Sequence, residues 1–177
     1  MTGRIALYLA VASSLFATAL RAQSGSSVQP TVPACGPSAT LNQLIQSLDE
    51  AVSGPADKDR TCFRQLLLPG ARLTPVAVAA DGSATPHILT VDGWIDAVRK
   101  RGHEAFYERQ VKIKAETYGH IAHLWSTYEI RLTPDGKATV RGINSIQAVF
   151  DGKQWHILQL LWQAETHAEP LPEKYLP

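Results

Sequence analysis

The sequence predicts an α+β domain in which three N-terminal helices pack on a curved antiparallel sheet. Two observations carry this. Apolar side chains recur at helical spacing between residues 38 and 101, and beyond residue 104 the apolar period drops to two and stays there. With 177 residues, 45% of them hydrophobic, the chain can supply one domain with its own core.

The first 22 residues precede the fold. Arg4 leads into a nearly uncharged run over 5–20, and Ala17-Thr18-Ala19 and Leu20-Arg21-Ala22 offer small-residue cleavage sites, the layout of a secretory signal peptide. The run is short for a membrane span, which needs about 20 residues. Export to the periplasm or the medium is expected, with no membrane attachment after cleavage. Residues 23–37, rich in Ser, Pro and Gly, read as a flexible leader, 38–165 as the folded domain and 166–177 as a C-terminal tail.

Within the domain, Leu41, Leu44, Ile45, Leu48 and Val52 form one helical stripe that Gly54-Pro55 ends. A short second helix, capped near Asp59, turns Phe63, Leu66 and Leu67 inward and stops at Pro69-Gly70. Extended segments 72–80 and 83–89 flank Asp81-Gly82, a hairpin signal. Thr90 caps a third helix over 91–101, which buries Trp94, Ile95 and Val98 and stops at Gly102. Four strands follow, at about 105–117, 120–132, 138–150 and 153–164. They are joined at Tyr118-Gly119, Thr133–Lys137 and Asp151-Gly152.

Composition narrows the function classes. A formal net charge of +1 gives no basic surface for nucleic acid, and none is expected as a partner. Loss of Arg4 and Arg21 with the signal peptide turns that charge slightly negative. Two cysteines exclude a disulfide-dense scaffold and a Cys-rich zinc site. Export permits a Cys35–Cys62 disulfide, with two free thiols as the alternative.

The turns set a register, and register decides which side chains share a face. A two-residue loop at Tyr118-Gly119 pairs Thr117 with His120, and so Arg109 with Tyr128. The Pro-Asp-Gly turn pairs Leu132 with Ala138, and so Ser126 with Asn144 and Glu129 with Arg141. The last turn pairs Phe150 with Lys153, and so Asn144 with Gln159. The core face then carries the polar residues Arg109, Ser126, Tyr128, Asn144 and Gln159, beside Tyr107 and Trp155. Buried without partners, such groups cost about 1–3 kcal/mol each, so they must pair, hold water or line a cavity. The opposite face gathers Trp125, Ile143, Leu158, Leu160 and Trp162, an apolar cluster that predicts a homodimer.

The order helix–helix–hairpin–helix–meander, with GHIAHLWSTYE at 119–129, RGINSIQ at 141–147, Asp151-Gly152 and Trp155, resembles the NTF2-like superfamily. The likeness is to its exported, SnoaL-like bacterial members of unassigned function. It implies a cone with a pocket between helices and sheet, and leaves the activity open, because the superfamily spans isomerases, dehydratases, cyclases, transport factors and assembly domains. Isomerases and cyclases of this kind place a carboxylate in the pocket. On the register above the strands offer none, since Glu108 and Glu129 point outward, and Asp49 and Asp57 of the helical layer are the nearest acids.

His120 and His123 are three apart and fall on opposite faces of a strand, so no metal is expected. Neither a phosphate-binding loop, a dinucleotide fingerprint nor a serine elbow is present, and no cofactor is expected. The leading expectation is an exported, dimeric domain that binds a small, partly apolar molecule. Arg109 would hold a ligand carboxylate, Tyr128, Asn144, Gln159 and Ser126 would add hydrogen bonds, and Tyr107, Trp94 and Trp155 would form the walls. The alternative for Arg109 is an edge position paired with a helix carboxylate. Two alternative functions stand beside this: a SnoaL or ketosteroid-isomerase-type lyase or isomerase using a helical-layer acid, and a non-catalytic assembly module.

Overall fold

The computed structural model describes residues 34–177. The expected signal peptide and residues 23–33 of the expected leader lie outside the described residues. Helix α1, Leu41–Val52, starts in a capping box: Thr40 accepts from the Gln43 backbone while the Gln43 side chain reaches back to Thr40. Its buried stripe holds Leu44, Ile45, Leu48, Ala51 and Val52. The buried guanidinium of Arg60 closes the other end, donating to the carbonyls of Ala51 and Val52 at 2.7 and 2.6 Å. Helix α2 spans Thr61–Leu66, and α3, Val91–Arg99, is capped by Thr90.

The chain turns extended at Leu67, before Pro69-Gly70, because Leu67 already pairs with Ile157. The strands are β1 (Gly54–Pro55), β2 (Leu67–Val78), β3 (Ala84–Pro86), β4 (Leu89–Thr90), β5 (Ala105–Tyr118), β6 (Ile121–Arg131), β7 (Ala138–Phe150) and β8 (Trp155–Ala164). They form one sheet in the order β1-β5-β6-β7-β8-β2-β3, with β4 paired to β2. All pairings are antiparallel except β2 with β8. Leu44, Leu48, Phe63, Leu73, Ile95, Leu124, Ile146 and Ile157 are fully buried between helices and sheet. Each such side chain contributes about 1.5–3 kcal/mol on leaving water.

The β6–β7 pairing is the predicted one, with Ser126 opposite Asn144 and Glu129 opposite Arg141, although Arg131 rather than Leu132 meets Ala138. Two bulges change the other pairings. On β5 the register shifts between Gln110 and Lys112, leaving Val111 as an extra residue. One extra residue turns the side chains beyond it to the other face. Ile113 lies opposite Ser126, yet across the bulge Gln110 lies opposite Tyr128 and Glu108 opposite Ile130. Glu108 and Gln110 therefore face the core. Arg109 pairs with Glu129 instead of Tyr128 and is exposed.

On β8 the extra residue is Leu158. Asn144 meets Trp162 rather than Gln159, Gln159 is exposed, and Leu160 drops into the core at 7% exposure. The expected outer cluster thus loses Leu160 and Trp162, which pack toward the helices.

The C-terminal tail lies on the outer face of the sheet. Thr127 Oγ1 donates to the Tyr175 carbonyl at 2.6 Å, Lys112 Nζ donates to the Leu176 carbonyl, and Trp125 packs against Tyr175. A Cys35–Cys62 disulfide ties the start of the described chain to α2. Among the described residues, no helix is long and apolar enough to cross a membrane.

Candidate functional site

All three helices and five of the strands contribute to one interior cavity of about 50 Å³. Leu48 and Val52 of α1, Phe63 of α2 and Trp94 of α3 form one side, and Leu73, Ile130, Leu160 and Trp162 the other. Three polar side chains enter this apolar shell: Glu108, Tyr128 and Asn144. An open groove of about 390 Å³ runs outside, between α1 and β5, lined by Asp49, Ser53, Tyr107, Arg109 and Arg131 among others. Glu108 lines both spaces.

Side chains of α1 and its C-cap hold Glu108 in place. The edge of β5 beside the bulge lacks a continuous strand partner, so its backbone groups need others. Ser53 Oγ accepts from Glu108 N–H at 2.9 Å and donates to its carbonyl at 3.2 Å. Asp49 accepts from Gln110 N–H at 2.9 Å. With the strand fixed, the Glu108 carboxylate accepts from Gln110 Nε2 at 2.9 Å and Asn144 Nδ2 at 3.1 Å. Gln110 Nε2 also donates to Asp49 Oδ1 at 3.2 Å, and its Oε1 accepts from Ser126 Oγ at 2.6 Å and Asn144 Nδ2 at 3.2 Å.

Two carboxyls are thus bridged by one amide. Burial pushes Glu108 up to about 7, and the neighbouring Asp49 charge adds to the rise that its hydrogen bonds oppose. Burial likewise lifts Asp49 to about 6, against the lowering effect of its bonds to Gln110 and of nearby Arg109. The phenol of Tyr128 is raised well above its ordinary range, first by burial and then by Glu108, so it stays a neutral donor. Among the described residues its hydroxyl has no hydrogen-bond partner. A carboxyl that changes charge near neutral pH, beside a free hydroxyl in an apolar cavity, can take a proton from a bound molecule and return it.

Of the residues read from the sequence, Tyr128, Asn144 and Trp94 line the cavity. Ser126 is fully buried and supports the network through Gln110. Arg109 and Tyr107 line the outer groove instead. Trp155 packs on Phe150 away from the cavity, and Gln159 is exposed. Glu108 and Gln110 were not expected. Their signal was a phase break: apolar Phe106 sits at an even position, whereas Val111 and Ile113 are odd. No group of three His, Cys, Asp or Glu among the described residues is arranged to hold a metal ion.

No family model and no curated protein matches this chain. Solved structures do. An NTF2-like protein of unknown function from Pseudomonas putida KT2440 aligns at TM-score 0.54 and 12% identity, covering 77% of this chain and 94% of that one. The chain has the NTF2-like fold. The CaMKII hub of S. rosetta (TM-score 0.53, 16% identity, 75% of this chain and 99% of that one) is similar to it. So is the Kfla4162 protein of Kribbella flavida (TM-score 0.52, 15% identity, 71% and 88%). At these identities the NTF2-like likeness is one of fold alone.

Proposed function

We propose that this NTF2-like protein is an exported acid–base catalyst, a lyase or isomerase acting on a small, partly apolar carbonyl compound. The observation that carries the reading is Glu108: a carboxyl lifted to about 7, set between an apolar cavity and an open groove. General-base catalysis needs a group that is poised near the working pH and can reach the substrate proton. In this reading Glu108 accepts a proton from the carbon beside the carbonyl. Tyr128 donates to the oxygen on which charge develops, while Asn144, whose amide hydrogens go to Glu108 and Gln110, holds the acid in position. The proton returns to another carbon in an isomerisation, or stays on Glu108 as a leaving group departs in an elimination. The charge of Asp49 adds to the rise that burial gives Glu108, and the Gln110 bridge opposes it.

The cavity of about 50 Å³ holds only a few atoms, so the ligand body extends past Glu108 into the groove, where Arg109 and Tyr107 meet a carboxylate or other anionic end. Export agrees with the disulfide, which oxidising compartments favour. The test is deuterium exchange beside the carbonyl of small ketones and enones in heavy water, with wild type and Glu108→Gln compared. Exchange that depends on Glu108 supports the catalyst. Equal exchange by both proteins overturns it, and ligand retention without exchange leaves a binding protein.

Self-association through the outer face is a second reading, favoured by the exposed Tyr118, Ile121 and Leu158. Sedimentation at micromolar concentration separates monomer from dimer.

A further inference from the structure

Most of strand β5 is open on the side away from β6. The short β1 covers only its start, pairing Gly54 with Phe106 and Pro55 with Ala105. Ser53 and Asp49 then serve the backbone at Glu108 and Gln110. Beyond Gln110 no strand lies on that side among the described residues, and residues 112–118 are all exposed.

The turn decides which backbone groups are unused. Tyr118 pairs with Ile121 around the two-residue loop Gly119-His120, and residues flanking such a loop hydrogen-bond to each other. The alternation of an antiparallel ladder then commits the backbone groups of Lys112, Lys114, Glu116 and Tyr118 to β6. It turns those of Ile113, Ala115 and Thr117 outward. Neither a proline nor a bulge interrupts this stretch. A row of free N–H and C=O groups is a template for another strand.

We propose that a second copy of this chain pairs here, β5 against β5, antiparallel about a twofold axis at Ala115. Side-chain charge selects the register. With Ala115 opposite the partner's Ala115, Lys114 meets the partner's Glu116, and symmetry repeats the pair. Lys112 meets the partner's Tyr118, a cation beside a ring. On the helix side Ile113, 40% exposed in the single chain, meets the partner's Thr117. A slip of two residues one way sets Lys114 against the partner's Lys114, and the other way Glu116 against the partner's Glu116. Like charges directly opposite each other are destabilising. A slip of one residue reverses the faces. Lysines ordinarily protect an edge from indiscriminate pairing; here they leave one register open. Lys114 and Glu116 lie 3.2 Å apart within one chain and both are exposed, so each is free to turn across the axis. The contact is independent of Glu108. It also differs from association through the outer face, which would cover side chains such as Leu158 and leave the β5 backbone open.

The experiment combines sedimentation of the purified protein, from micromolar to submillimolar concentration, with amide hydrogen exchange read residue by residue in nitrogen-correlated NMR. A dimer is expected, with exchange at Ile113, Ala115 and Thr117 slowing as concentration rises. Lys114→Glu, a surface change, sets like charges opposite each other twice and weakens the dimer about ten-fold. Adding Glu116→Lys to it restores opposite charges and recovers the dimer to within a few-fold of wild type. A monomer at every concentration would overturn the proposal, as would a dimer indifferent to Lys114→Glu or not recovered by the double variant. Exchange at the three amides that does not slow with concentration would also overturn it, whether they stay open because the dimer forms elsewhere or are already covered in the monomer.

Discussion

Replacing Glu108 with Gln keeps the shape of the side chain and removes its charge. The new amide oxygen still accepts from Gln110 Nε2 and Asn144 Nδ2. In the native protein Glu108 titrates near 7, against an ordinary 4.5 in the unfolded chain. As pH rises through 4.5 the unfolded chain gives up this proton first, while the native state holds it until about 7. The native state therefore binds more protons over that window, and stability falls as pH rises through it. At about 1.4 kcal/mol per unit, the native protein loses up to about 3 kcal/mol between acid and pH 8. Asp49, raised from 3.8 to about 6, pushes the same way, and the shared Gln110 bridge makes the combined loss less than the sum. Asp151, held down at about 2, acts only in stronger acid. Urea denaturation followed by tryptophan fluorescence at four pH values between about 5 and 8 measures the slope. Glu108→Gln is expected to flatten the profile by up to about 3 kcal/mol and to be the more stable protein at pH 8. Parallel profiles for the two proteins would refute a buried, late-titrating carboxyl.

Three further outcomes are expected. Gly142→Ala places a Cβ within 2.5 Å of Tyr128 Oη and closer still to the Gln163 carbonyl oxygen, so overpacking costs about 1–3 kcal/mol and thermal melting falls by several degrees. Arg60→Met strips donors from the carbonyls of Ala51, Val52 and Pro55, at a cost of about 2–4 kcal/mol in a urea titration, and Arg60→Lys recovers only part because an ammonium lacks the fork. Reducing Cys35–Cys62, which closes a loop with a sequence separation of 27, lowers stability by about 3–4 kcal/mol in a melt with and without reductant; no change would mean the bridge constrains nothing in the unfolded chain.

The helical layer was legible because burial and spacing agree: Leu44, Ile45, Leu48 and Val52 fall on one stripe and are all buried. The Ser126–Asn144 row was legible because a Pro-Asp-Gly turn fixes the β6–β7 pairing close to the strand ends. The acid of the site was not. A bulge changes no turn residue, so Val111 and Leu158 look like ordinary strand positions, yet each reverses the faces of the residues across it from the turn. Glu108 moved inward and Arg109 outward on the strength of one residue. The tail escaped for a different reason. Thr166–Pro177 has no helical or strand period, and its docking rests on Thr127, Lys112 and Trp125, all of which belong to distant strands.

Carbon-13 NMR of the Glu108 side-chain carboxyl across pH 4–9, assigned by its disappearance in Glu108→Gln, reads the acid of the cavity without any ligand. A midpoint near 7 is the predicted result. A midpoint near 4.5 would place that carboxyl in water and remove the proton acceptor from the site.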